Sequence, residues 1–197
     1  MSTRSLVLIA VFALLLFWAV GAYNRLVRLK NLIANAFGQI DVQLKRRYDL
    51  IPNLVDAAKK YLIHERETLE AVIAARNQAR AASDAVRSRP THAPGVMALA
   101  VAEQALGGSL NSLFALAEAY PELKADETIR ALSEELTSTE NKVAFARQAY
   151  NDCVLDYNNA QAQFPALLVA RLFGFAAAAV LQATESTVER QAVRIQM

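Results

Sequence analysis

Three hydrophobic patterns follow one another along this chain. Leu6 to Tyr23 (LVLIAVFALLLFWAVGAY) carries no charge, and Arg25, Arg28 and Lys30 come directly after it. A helix rises about 1.5 Å per residue and a hydrocarbon core is about 30 Å thick, so this run is long enough to cross a bilayer with little tilt. From there to about position 162 apolar residues recur at helical spacing, with polar residues between them. After Phe164-Pro165 the stretch ALLVARLFGFAAAAVL is apolar again, but Arg171 and Gly174 interrupt it, which makes it a poor second span.

Punctuation divides the middle of the chain into four amphipathic segments, 24–48, 50–87, 94–118 and 126–162. The loop Ser88-Arg89-Pro90-Thr91-His92-Ala93-Pro94-Gly95 cannot continue a helix, and Tyr120-Pro121 ends the third segment before Asp126 caps the fourth. The break near Pro52 has two readings. Asp49 could cap a new helix with Pro52 in its first turn, or Pro52 could kink one long helix. Leu54, Ala58, Tyr61, Glu65, Leu69, Val72 and Arg76 share one stripe of the second segment; Leu132, Leu136, Val143, Tyr150, Val154 and Tyr157 share one on the fourth. Short loops make neighbouring helices antiparallel. The expected fold is therefore all-α: a transmembrane helix in 1–23, an up-and-down four-helix bundle with coiled-coil-like packing in 24–163, and in 164–197 a short apolar helix with a polar tail. That short helix is expected to pack on the bundle or lie at the membrane surface, and Ala192 to Met197 to be extended.

Composition adds little to this picture but excludes some alternatives. With six Gly and five Pro the chain has few breakers, and a net charge of +2 gives no argument for nucleic acid. The single cysteine, Cys153, rules out an internal disulfide and reads as a small packing residue on its helix. The rival to a retained anchor is a cleavable signal peptide, with Arg4 as its charged start and Ala19-Val20-Gly21 or Val20-Gly21-Ala22 as small residues for cleavage. The run exceeds an ordinary signal core and passes without a break into helix-favouring sequence, which favours the anchor. Basic residues cluster after the run (Arg25, Arg28 and Lys30, then Lys45, Arg46 and Arg47), so the positive-inside rule places the amino terminus outside and the bundle in the cytoplasm.

Residues able to carry chemistry are sparse. His64-Glu65 suggests the His-Glu-x-x-His zinc helix, but the second histidine is replaced by Thr68, and His92 has no ligand-like spacing to it. No phosphate-binding glycine loop and no Gly-x-Ser-x-Gly occurs, and Glu65, Glu67 and Glu70 read as a solvated helix face. The expectation is no catalytic residue, no metal and no cofactor. More informative is the fourth segment, where Glu140, Arg147, Asn151 and Asn158 form a polar stripe beside the apolar one. It reads either as a hydrogen-bonded ladder that fixes helix register or as a recognition surface for a partner helix. Tight reversals at the loops would set the fourth segment parallel to the second, with Glu140 level with Arg76. A partly buried Arg76–Glu140 ion pair is expected on that register.

Several of these residues also carry a resemblance. Arg47-Tyr48-Asp49-Leu50-Ile51-Pro52-Asn53-Leu54-Val55, His64-Glu65, Ala119-Tyr120-Pro121-Glu122-Leu123-Lys124-Ala125, Thr139-Glu140-Asn141-Lys142, Ala146-Arg147, Tyr150-Asn151, Tyr157-Asn158 and Phe164-Pro165 occur in the order and spacing of the bacterial LemA family. The resemblance runs from about Tyr23 to Phe175. It implies a single-pass protein of the bacterial inner membrane whose soluble part is an antiparallel four-helix bundle, with the N-terminus outside. The family's molecular function is not settled, and it offers no catalytic residues to carry over. Its members are often encoded near a membrane-embedded zinc metalloprotease, which implies envelope quality control, and a relative takes part in magnetosome membrane formation. Past Gly174-Phe175 the family continues with lysines, prolines and aromatics, whereas this chain has Ala176-Ala177-Ala178-Ala179, so the resemblance says little about the tail.

The function expected is non-enzymatic: a membrane-anchored scaffold or adaptor that acts with protein partners such as a membrane metalloprotease, or with copies of itself. The alternative is an envelope sensor or ligand-binding module that uses a cleft lined by the Glu140–Asn158 stripe.

Overall fold

A computed structural model describes residues 3–181; the expectation for Ala192 to Met197 lies outside them. Among the described residues there are six helices and no strand: α1 (Thr3–Ala58), α2 (Arg66–Ser88), α3 (Ala93–Glu118), α4 (Pro121–Ala125), α5 (Glu127–Ala162) and α6 (Ala166–Leu172).

Of the two readings open at Pro52, the structure has the single long helix. Proline in a helix interior removes a hydrogen bond and costs about 3 kcal/mol. Yet α1 runs through it, because Tyr48, Ile51, Leu54 and Val55 around it are all at most 2% exposed. Burial on both sides of the proline outweighs its local cost. The reversal falls later, at 59–65, inside the segment expected to be one helix over 50–87. Tyr61 and Leu62 both donate their N–H groups to Ala58 O at 3.0 Å, and Glu65 N–H donates to Leu62 O at 3.2 Å. Leu62 turns inward and plugs the end of the core, so an apolar anchor closes this turn where no glycine does. His64 and Glu65 thus lie in the turn, away from any helix face.

α5 lies antiparallel along α1. Leu26 packs with Ala160, the rings of Phe37 and Tyr150 meet at 6.1 Å, Arg46 Nε donates to Glu135 at 3.0 Å and Tyr61 Oη donates to Asp126 at 2.8 Å. Each step along α1 toward its C-terminus is matched by a step back along α5. α2 flanks α1 in the same sense, with Arg87 on Asp41 and Arg76 on the Tyr48 carbonyl, and α3 returns against α2. The shared core runs from Ile33, Phe37, Ile40, Leu44, Tyr48 and Ile51 of α1 to Leu99 and Leu106 of α3 and Tyr150, Val154 and Tyr157 of α5. Asp126 starts α5 by accepting from the N–H groups of Thr128 and Ile129, and His92 starts α3 by accepting at Nδ1 from Gly95 N–H.

The N-terminal part of α1 is the described helix apolar enough to cross a membrane, with a mean hydropathy of 2.6 over its best window and none of that window buried. α6 packs on α1 and α5 next to this stretch. It ends in a Schellman motif: Phe175 N–H returns to Ala170 O at 2.9 Å and Gly174 N–H to Arg171 O at 3.4 Å. Gly174 takes φ 68°, the left-handed conformation this cap needs and other residues adopt only at a cost. Beyond it Ala176 to Leu181 has no helical structure, although alanine is the strongest helix former.

Candidate functional site

The reason that alanine run is not helical lies on α5. Asn151 and Asn158 are seven residues apart, so two helical turns place them on one face, about 10.5 Å apart along the axis. Three extended residues rise about 10 Å, and Asn158 and Asn151 grip backbones three residues apart. Asn158 donates from Nδ2 to Ala178 O and accepts at Oδ1 from Ala178 N–H, both at 2.9 Å. Asn151 does the same to Leu181, at 3.1 and 2.8 Å. Tyr157 Oη donates to Ala176 O at 2.9 Å, and Tyr150 Oη lies 3.1 Å from Ala179 O and 2.8 Å from Pro90 O. With its amide turned to satisfy both atoms, Gln161 donates to Phe175 O at 3.0 Å and accepts from Ala177 N–H at 3.2 Å.

Every one of these bonds goes to main chain, so the face reads an extended backbone and is indifferent to most side chains. Ala178 and Leu181, both 6% exposed, point into it. A helical 176–181 would turn its amides onto itself and leave the asparagines unpaired in a half-buried place, which is why propensity loses here. Burial pushes the Tyr150 hydroxyl up to about 12 and raises that of Tyr157, so both stay protonated donors at neutral pH.

The other stripe residues part company. Glu140 is exposed and lies 3.8 Å from Arg47 of α1; Arg147 is half-buried on the same helix. Arg76 does not reach Glu140. It donates to the Tyr48 carbonyl at 2.8 Å and to Asn77 at 3.0 Å, and lies 3.8 Å from Asp49. The two residues are level, as the loop register implied, since both meet α1 at 47–49. They stand on different flanks of α1, which takes each charge separately.

A buried polar cluster that sequence reasoning missed lies at this height. Arg47, 5% exposed, donates to Glu103 Oε2 at 2.8 Å, and the Tyr48 hydroxyl donates to the other carboxylate oxygen. Burial and the neighbouring Glu103 charge push the Tyr48 hydroxyl far above the ordinary tyrosine range. Beside the pair is a cavity of about 360 Å³, lined by Arg47, Glu103, Asn111, Thr137 and Glu140 together with Gly107 and Gly108. A Cβ on either glycine would meet no atom within 4 Å, so the paired glycines leave this space open. A second cluster joins α1 to α2, where Asp41 takes Lys45 and Arg87 at 3.0 Å each and Ser83 at 3.4 Å. Burial alone would raise the Asp41 carboxyl, but its two cations outweigh that and hold it below the usual range. The periodic signal hid these residues, because a buried charge looks like a surface charge unless its partner on another helix is known.

Cys153 packs against the core from α5, and burial together with Asp156 and Asp152 raises its thiol. Among the described residues no group of three or more His, Cys, Asp or Glu side chains is placed to hold a metal ion.

These features define an all-helical protein with one N-terminal helix able to span a bilayer and an amide-lined helix face that holds an extended segment. The LemA family model matches residues 36–197, and the chain belongs to that family. It is 27% identical over 166 residues to Protein LemA of Metamycoplasma hominis, an alignment covering 84% of this chain and 71% of that relative.

Proposed function

We propose that the protein is a non-enzymatic, membrane-anchored scaffold of the bacterial inner membrane, in which an antiparallel four-helix bundle of α1, α2, α3 and α5 presents its faces to partner proteins. The observation that carries this reading is the continuity of α1, which passes unbroken from the apolar run into the packed core. A joint that bends at the membrane surface would let the bundle swing. A single helix couples the bundle's orientation to the bilayer, which suits a platform more than a tethered catalyst. The basic flank at Arg25, Arg28 and Lys30 supports an amino terminus outside and a cytoplasmic bundle. A membrane-embedded metalloprotease, implied by the family's gene neighbours, is the first partner to test, and copies of the chain itself the second.

The cavity at Arg47, Glu103 and Glu140 favours a second reading, a polar-ligand sensor. It is near the lower end of ordinary small-molecule sites in size, and charged groups of both signs converge on it.

Photo-crosslinkers at the exposed positions Ile63 and Phe145, used in native membranes with mass spectrometry, separate the two. Recurrent adducts with the same membrane protein, or with the chain itself, support the scaffold. Adducts spread at random, together with a small polar compound that co-purifies and is lost on Gly107→Leu, would transfer the function to the cavity. Labelling of single surface cysteines from outside intact spheroplasts checks the orientation; efficient labelling of the bundle would reverse it.

A further inference from the structure

An apolar surface remains uncovered at the end of the protein nearest the span. Phe164, Leu168, Leu172 and Phe173 are 80, 58, 79 and 57% exposed. Leu168 and Leu172 are four residues apart on one face of α6, while Val169 and Ala170 are buried on another. The register of α5 on α1 sets the height of this surface. Leu26 packs with Ala160 and Ala170, so Phe164, just beyond the end of α5, comes level with the last residues of the apolar run. Tyr23, the final residue of that run, locks the level: its ring lies 4.9 Å from that of Phe173 and 5.6 Å from that of Phe175, both edge to face.

Charge is distributed to match. Residues 1–40 and 157–181 contain Arg4, Arg25, Arg28, Lys30 and Arg171 and not one Asp or Glu, although the chain has 19 acidic residues. None of the ion pairs among the described residues uses Arg25, Arg28, Lys30 or Arg171, and all four are exposed. A second copy meeting this face would bring cations against cations, whereas lipid headgroups offer phosphates.

We infer that residues 164–173 form a second membrane contact, in which Phe164, Leu168, Leu172 and Phe173 enter the headgroup–acyl boundary of the same bilayer that α1 crosses. The inference rests on the membrane-anchored reading. Interfacial elements bury their apolar face about 5–10 Å into this boundary, aromatic rings favour that depth, and arginines beside them reach back to phosphate. One span alone leaves the bundle free to spin about its axis. A second contact on one flank fixes which side of the bundle faces the membrane plane, and so which faces are left for partners.

The chain's one tryptophan, Trp18, lies within the span and supplies an internal control. The full chain is placed in vesicles of zwitterionic and anionic phospholipid with bromine on the acyl chains. Wild type reports on Trp18; Leu172→Trp and Leu168→Trp, each combined with Trp18→Phe, report on α6; Ile63→Trp in the same background reports on the opposite end of the bundle. The expected result is strong quenching of Trp18 and of both α6 probes, several-fold above Ile63→Trp, with the α6 probes most sensitive to bromine near the headgroup end of the chain. Quenched Trp18 with α6 probes as insensitive as Ile63→Trp would overturn the second contact and leave the anchor standing. Unquenched Trp18 would overturn the anchor and the contact together. An α6 emission that ignores bromine but changes with the protein-to-lipid ratio would assign this face to a second copy and overturn the inference.

Discussion

Replacing Asn158 with alanine tests the amide face most directly. The substitution removes a matched pair of hydrogen bonds, donor to Ala178 O and acceptor from Ala178 N–H, each at 2.9 Å. Each such bond contributes about 0.5–1.5 kcal/mol net, and Ala178 is buried, so its two main-chain groups lose their partners without full access to water. The release of 175–181 should become easier by about 2 kcal/mol, roughly a 30-fold rise in the exchange rate of the Ala178 and Leu181 amides. Hydrogen exchange by mass spectrometry or NMR on the full chain in nanodiscs reads this directly. Asn159→Ala, at an exposed neighbouring position, should leave those amides unchanged. Asn158→Asp keeps the acceptor but sets a carboxylate against the Ala178 carbonyl, so it should loosen the segment as well. Exchange at Ala178 that rises less than about threefold, under 0.7 kcal/mol, would refute the clamp. So would a rise spread evenly along α5, since the stripe would then support the helix core instead of the segment.

Glu103→Ala leaves Arg47 buried without its main counter-ion and should lower stability by about 3–5 kcal/mol in thermal or denaturant unfolding, with Glu103→Gln losing less; a loss under about 1 kcal/mol would show that the pair is not buried in solution. The Asp126 carboxyl is held well below its usual range by the Tyr61 hydroxyl, the Ile129 N–H and Lys60. A depressed folded-state value stabilises above the unfolded carboxylate range, near 4, and this stability is lost as pH falls through that range and below. Melting temperature should therefore drop on acidification, and less steeply in Asp126→Asn; an unchanged slope would remove Asp126 from the acid response. Gly174→Ala forces a side chain into the left-handed region and should cost about 1–2 kcal/mol, seen as faster exchange at Phe175 and beyond. A double-mutant cycle on Arg76→Ala and Glu140→Ala should be additive within about 0.5 kcal/mol, because each side chain binds α1 and not the other; a larger coupling would restore the direct pair.

Much of the helical framework was legible in the sequence. The periodicity bounded the third and fourth segments at 94–118 and 126–162, against Ala93–Glu118 and Glu127–Ala162, and Asp126 caps α5. Those ends were readable because proline and a capping carboxylate act locally. The turn at 59–65 was not, because Leu62 makes it by filling the end of a core assembled from distant helices. Nor was the extended state of Ala176 to Ala179, where local propensity points to helix and the groups that reverse it, Asn151, Asn158, Gln161 and the Tyr150 and Tyr157 hydroxyls, lie some 14 to 30 residues earlier. Asn151 and Asn158 stood out as a spacing, but a spacing does not say what it holds.

The fate of Arg76 and Glu140 shows how far such register reasoning extends. Loop lengths and helix rise determine height, and the two residues do share a height. Which flank of a central helix each neighbour occupies depends on packing angles that no single segment encodes. With α1 between them, a direct pair would have required either side chain to cross the core. Instead the core helix carries its own groups at that level: the Tyr48 carbonyl for Arg76 and Arg47 for Glu140, with Glu103 of α3 completing the cluster. α1 is thus both the helix apolar enough to cross a bilayer and the electrostatic hub of the fold. A substitution at Arg47 should be felt on α3 and α5 at once, because its guanidinium meets Glu103 of the one and Glu140 of the other.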